Sequence, residues 1–314
     1  ELARRGYIVR RQGAPTRAAK RLPDHSPIHN PTRQLLWYYR GAANVINDPI
    51  EQGAMTRARQ LGYQLDCHFM PDDLQVPRQT LRPPSSRYDG VAIHGVLDEA
   101  FLAAQLDAGI PVVTVDIWTD DNRCDSVAVQ CDTEGAAIAK MILAAGHDRI
   151  GHVHGYRTDK QGHSALDPDV FRFQGGMRMM IEAWPRPIPP IWTVKARFGP
   201  RDAGLVMDAW QNTPADQRPT VLVFFDSSLA ETFLGLIAEA GIRCPDDLSI
   251  ITRSGDPLGL PIAHSQTDNS ALGRVAVELL DQRICGQRTT TLKVALPCKL
   301  YRGQTLGPPA VMAR

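Results

Sequence analysis

The chain lacks any apolar run near the ~20 residues that a membrane-crossing helix needs, and no charged-then-apolar signal peptide is visible. A membrane partner is therefore not expected. It also lacks a Cys-x-x-Cys pair: Cys67, Cys124, Cys131, Cys244, Cys285 and Cys298 are scattered along 314 residues. That spacing supports neither a disulfide framework nor a cysteine-rich zinc site, so a reducing compartment, the cytoplasm, and buried thiols are expected. Missing too are the G-x-S-x-G elbow, the glycine-lysine P-loop and the H-E-x-x-H helix. Without an activated nucleophile or a cofactor cradle, neither an enzyme nor a cofactor is expected. The acids Asp72 and Asp73, after Pro71, and the pair Asp120 and Asp121 read as solvated turns rather than as an acid/base pair. His152 and His154 alternate on one strand face, but no Cys or carboxylate ligand set stands near them in sequence, so no metal is expected. The chain opens on Glu1 rather than methionine, from which we expect that sequence upstream has been removed.

What is present points to a two-lobed sensor. With 43% hydrophobic residues in 314, the chain is long enough for two lobes with separate cores. The net charge of +1 is unevenly spread: residues 1–40 hold nine Lys or Arg against Glu1 and Asp24, a local +7, which leaves −6 for the rest. A basic head on an acidic body suits a nucleic-acid-contacting end joined to a part that does not adhere to phosphate. A solvated basic tail is the plainer alternative. Residues 20–32 contain Pro23, Pro27 and Pro31, a density that prevents helix and sheet and marks a linker.

Residues 219–256 are the most informative stretch. An apolar strand at 221–225, a helix stopped by Gly241, and a second strand at 248–252 make one βαβ unit. In a doubly wound sheet, ligands sit at the carboxyl ends of strands, which marks Asp226, Ser227, Arg253 and Ser254. Further strands are expected at 35–39, 91–94, 112–116, 127–130, 150–154 and 191–195, with helices at 49–62 and 272–284. The expected architecture is α/β, with two doubly wound parallel-sheet lobes joined by three crossovers. Residues 34–130 and 268–296 form the first lobe, 131–267 and 297–314 the second, after a head at 1–19 and a linker at 20–33. Three crossings make a hinge on which two lobes can close around a small ligand.

Several separated motifs carry a family resemblance. Residues 88–116 contain Y-D-G-V-A-I-H-G and L-D-A-G-I-P-V-V-T-V-D, and residues 132–155 read D-T-E-G-A-A-I-A-K-M-I-L-A-A-G-H-D-R-I-G-H-V-H-G. Arg172, Gln174 and Gly175 form an "R..G" element, Leu272-Gly273 opens a helix, and Pro297 precedes a closing strand. Over about residues 34–309 the chain resembles the effector-binding domain of the lactose-repressor family of bacterial transcription regulators, a type I periplasmic-binding-protein-like fold. The resemblance implies a small-molecule effector, a sugar, and a homodimer. It places Arg172, whose planar donors suit bidentate contacts, at the ligand. Asp226 stands where the family has Asn, and Ser254 where it often has Asp. His147 in G-H-D-R-I resembles a structural loop residue. Strand ends add Asp116, His94, Tyr39 and Trp118 as ligand contacts, with aromatic core packing the alternative for the last three.

The head carries its own likeness. Residues 1–16, E-L-A-R-R-G-Y-I-V-R-R-Q-G-A-P-T, resemble the end of a gluconate-repressor-type winged helix-turn-helix, joined to the body in an arabinose-repressor-like arrangement. This implies a DNA operator as partner, with Arg10, Arg11 and Gln12 in a wing that contacts mainly phosphates. The recognition helix is expected upstream. An exported sugar-binding protein of a transporter is the other class, which a lipoprotein leader would favour.

Overall fold

The runs Gly90–His94, Val112–Val115, Val221–Phe224 and Ser249–Thr252 are buried at every position, which demands helices on both faces of their sheets. The computed structural model supplies them. It describes residues 8–9, 17–18, 31–40, 48–70, 87–95, 99–119, 121–158, 164–166, 168–197, 199–253 and 261–309. The chain divides into two units, Glu1–Ala128 with Asp268–Leu296 and Val129–Thr267 with Pro297–Arg314, and passes between them three times. Among the described residues, no helix is long and apolar enough to cross a membrane.

In the first unit, β1 (Ile8–Val9) pairs antiparallel with β2 (Arg17–Ala18). A separate sheet holds β3 (Gln34–Arg40), β4 (Gln64–Met70), β5 (Gly90–His94), β6 (Val112–Val115) and β7 (Asp125–Val129), all parallel. Its order is β4-β3-β5-β6-β7, with β14 (Lys293–Leu296) beyond β7. The first strand in sequence thus lies between the second and the third, which makes the β3/β5 boundary the topological switch point. Helix α1 (Pro49–Gln60) packs against α7 (Asn269–Ile284), and Leu280 and Ile284 of α7 lie over Gly90 and Leu35. The opposite face is covered by α2 (Glu99–Asp107), whose Phe101 and Leu102 cluster with Leu36, Tyr38, Val91 and Ile93. Asp48 starts α1 by accepting from the Ile50 N–H at 2.8 Å, and Asp268 starts α7 by accepting from Ala271 at 2.9 Å, each satisfying a donor that a helix start leaves unpaired.

The second unit repeats that order. Strands β8 (Ile150–Thr158), β10 (Trp192–Arg197), β11 (Val221–Phe224), β12 (Ser249–Thr252) and β13 (Ala263–Thr267) lie as β10-β8-β11-β12-β13, and all are parallel. The switch point is therefore β8/β11. On one face α5 (Ala203–Gln211) and α6 (Ser227–Glu239) bury Val206, Trp210, Leu229 and Phe233 against Leu222, Phe224 and Ile250. Helices α3 (Cys131–Ala144) and α4 (Pro168–Glu182) pack against each other. Their approach is close enough that a Cβ on Gly176 would overlap the carbonyl of Asp132, and Gly273 meets Ile50 of α1 in the same way in the first unit. Helix α6 ends as expected, with Gly241 at φ 74° and the Ile242 N–H donating to the Ile237 carbonyl at 2.8 Å, a glycine-dependent stop.

Both sheets are doubly wound and parallel as expected, and two short strands are added antiparallel to the second: β15 (Cys298–Tyr301) beside β13 and β9 (Ser164–Leu166) beside β8. One expectation needs correction. The cysteines are all free, yet Cys67 and Cys285 are exposed rather than buried, since one sits on edge strand β4 and the other ends α7.

Candidate functional site

At the first unit's switch point, Tyr39 near the end of β3 lies in register with His94, the last residue of β5. Their rings are 4.9 Å apart, and the Trp37 indole meets the imidazole edge-on at 5.8 Å. His94 is 4% exposed. Its Nδ1 stands 3.9 Å from Oε1 of Glu51, beyond hydrogen-bonding distance. Glu51 lies in the first turn of α1 and is 0% exposed. Among the described residues, neither of its oxygens, nor His94 Nδ1, nor Trp37 Nε1 has a hydrogen-bond partner. A second buried acid in this unit shows the usual solution. Asp125 takes both guanidinium arms of Arg288, at 2.9 and 2.6 Å, and the Leu292 N–H at 2.7 Å. Asp116 follows β6 with φ 55°, a left-handed backbone uncommon outside glycine. Trp118, half-buried, is two residues further on.

In the second unit, Asp226 follows β11 and caps α6: its Oδ1 accepts from the Leu229 N–H at 2.8 Å and from the Ser228 hydroxyl at 2.6 Å. Arg172, in α4, stands 3.8 Å from Asp132 and 3.8 Å from Asp169. Arg253, directly after β12, is a buried cation. Its Nε donates to Glu134 at 2.7 Å, its guanidinium reaches the Cys131 thiol at 2.7 Å, and Phe225 and Phe173 stand 4.5 and 5.4 Å from it. The other Glu134 oxygen accepts from the Ser265 hydroxyl at 2.5 Å. Burial opposes the guanidinium charge, but Glu134 outweighs it and holds the pKa above the ordinary value. Burial also pushes the Cys131 thiol well up, so it is not a nucleophile at neutral pH.

The histidines divide by partners. His147 is saturated, with Nδ1 on the Thr220 hydroxyl at 2.8 Å and Nε2 on the Gly307 carbonyl at 2.9 Å, as its structural reading requires. His152 and His154 lie 5.4 Å apart, and none of their four ring nitrogens has a hydrogen-bond partner among the described residues. Burial holds His152 down to about 3, and lowers His147 and His154 as well. The unfolded chain takes up these protons below about pH 6.5, whereas the folded one resists. Stability is therefore full above pH 6.5 and falls as the pH drops toward 3, with His152 contributing up to about 1.4 kcal/mol per pH unit over that range and His147 and His154 acting in the same direction. Urea midpoints at pH 7.5, 6.0 and 5.0 should decline in that order, and His152→Leu should flatten the slope. A level profile in the unsubstituted protein would contradict this account.

The described residues thus bring Tyr39 and His94 together, with Asp116 one residue beyond Val115, the partner of His94 on β6. Arg172 and Asp226 lie on different elements of the second unit. Ser254, Arg10, Arg11 and Gln12 fall outside the described residues. Glu51 and Glu134 were not singled out from sequence, although the pattern marks them. Glu51 precedes buried Ala54 and Ala58 by three and seven positions, and Glu134 precedes buried Ile138 and Ile142 by four and eight, so each acid sits on a buried helical stripe. Chemically, the first unit offers carboxylate and imidazole acceptors beside aromatic rings, and the second a guanidinium between acids.

Comparison with known proteins agrees with this architecture. The chain is 24% identical over 262 residues to the HTH-type transcriptional repressor PurR of Aliivibrio fischeri, covering 81% of this chain and 75% of that one. It is 26% identical over 212 residues to the ribose operon repressor of Haemophilus influenzae, covering 66% and 58%. A LacI family transcriptional regulator from Enterococcus faecium, solved with bound ribose, superposes with a TM-score of 0.72 at 16% identity, covering 88% of this chain and 99% of that one. Residues 139–306 match the model of the periplasmic binding protein-like domain, more than half of the chain, and the chain belongs to that family.

Proposed function

We propose that this chain is the effector-binding part of a LacI-type bacterial transcription regulator, which binds a sugar and thereby alters the hold of a DNA-binding head on its operator. The observation that carries this is the match to a transcriptional repressor over 81% of the chain and 75% of the repressor's length. Polar side chains at both carboxyl-end switch points support it, since that is where doubly wound sheets take ligands. Arg172, Asp226, Ser254, Asp116, His94, Tyr39 and Trp118 are the proposed effector contacts, and the working form is a homodimer. The ribose in the Enterococcus faecium regulator is a guide to the ligand class. At the head, the β1–β2 pair supports a wing of gluconate-repressor type, because Arg10, Arg11 and Gln12 fall between the two paired segments in sequence, beside the +7 charge of residues 1–40.

A thermal-shift screen of carbohydrates and nucleobases tests the sensing role. A true effector at about 100 times its Kd stabilises the folded chain by about 2.7 kcal/mol and raises the Tm by several degrees. A screen in which no sugar moves the Tm would remove the carbohydrate assignment.

A further inference from the structure

The two units place comparable helices after their switch-point strands. Helix α1 follows β3, and α4 follows β8 after the short returning strand β9; each begins with a proline and packs against a neighbouring helix through a glycine contact. In the second unit the opening turns of that helix carry Arg172, and in the first they carry Glu51. Glu51 is fully buried, and among the described residues neither of its oxygens has a hydrogen-bond partner, nor do the neighbouring Nδ1 of His94 and Nε1 of Trp37. Asp125, saturated by Arg288 and the Leu292 N–H, shows that this unit can satisfy a buried acid where it serves the fold. Leaving a carboxylate unpaired is costly, and an orphaned buried group asks for a missing partner. The site sits at the carboxyl ends of the switch-point strands, where a ligand is the natural partner.

We infer that Glu51 and His94 form a specificity-determining subsite within the first unit, one that accepts hydroxyl hydrogens of a sugar. The inference rests on the sugar-sensing reading above. A hydroxyl donor fits because the pair presents acceptor oxygens and an imidazole nitrogen, while the rings of Trp37 and Tyr39 offer apolar faces for sugar C–H groups. The subsite predicts opposite signs for ligand-free stability and for affinity, which a structural carboxylate would not give.

The test measures the Tm of the ligand-free chain and calorimetric binding of D-ribose, D-galactose and cellobiose for the unsubstituted protein, Glu51→Gln and His94→Gln. The expected result is a ligand-free Tm that is unchanged or higher in Glu51→Gln, with affinity for the bound sugar reduced by about 10- to 100-fold, and a smaller loss in His94→Gln. Equal affinity in Glu51→Gln and the unsubstituted protein overturns the subsite and leaves the sugar-sensing role standing, since a buried water then satisfies the carboxylate. A lower ligand-free Tm in Glu51→Gln overturns it as well, by making the acid structural. An unsubstituted protein that binds none of the three sugars overturns both readings.

Discussion

Glu134→Ala should lower the stability of the second unit by about 3–5 kcal/mol, the largest loss expected of any single substitution described for this protein. The residue is fully buried, and its two oxygens hold the Arg253 guanidinium and the Ser265 hydroxyl. Removing it leaves a cation 4% exposed facing, among the described residues, the Cys131 thiol, the faces of Phe173 and Phe225 and the more distant charge of Asp169. Aromatic faces attract a cation by about 0.5–2 kcal/mol, too little to offset a desolvation cost of several kcal/mol. The double replacement Glu134→Leu with Arg253→Met should recover most of the loss, because it removes both charges and keeps the volume. Urea unfolding of the single and double variants measures this. A single variant that loses less than about 1 kcal/mol would mean that water reaches Arg253 and the pair behaves as a surface one.

Arg172→Ala should abolish the ligand-induced thermal shift while leaving the ligand-free fold intact. The guanidinium stands 3.8 Å from both Asp132 and Asp169, with its side chain 28% exposed. Contacts of that length in a partly exposed setting contribute about 0–1 kcal/mol to stability, so the ligand-free Tm should move little. A planar guanidinium gripping two ligand oxygens contributes far more. Losing about 3 kcal/mol of charged hydrogen bonding reduces affinity by more than 100-fold. Arg172→Lys should fall between the two, keeping the charge but not the paired geometry. Should the shift persist undiminished in Arg172→Ala, Arg172 does not touch the effector.

Much of the fold was legible because the information is local. Continuous apolar runs such as Val221–Phe224 leave no solvent face, and the Gly241 stop works through the backbone alone. The Tyr39 and His94 pairing was only partly legible. Each could be placed at a strand end, but their neighbour relation depends on strand order, which runs second, first, third across the sheet.

By itself, the amino-acid sequence determined the βα alternation, the Gly241 helix stop, the basic head on an acidic body and the family resemblance, because each depends on neighbours a few residues apart or on composition. Tertiary structure alone decided which buried charges are satisfied. Glu134 finds Arg253, 119 residues away, and Asp125 finds Arg288, 163 residues away, whereas Glu51 on an equally buried stripe finds no hydrogen-bond partner among the described residues. The reason is physical: apolar spacing fixes which helix face turns inward, but the compensation of a buried charge depends on which distant strand or helix folds against it.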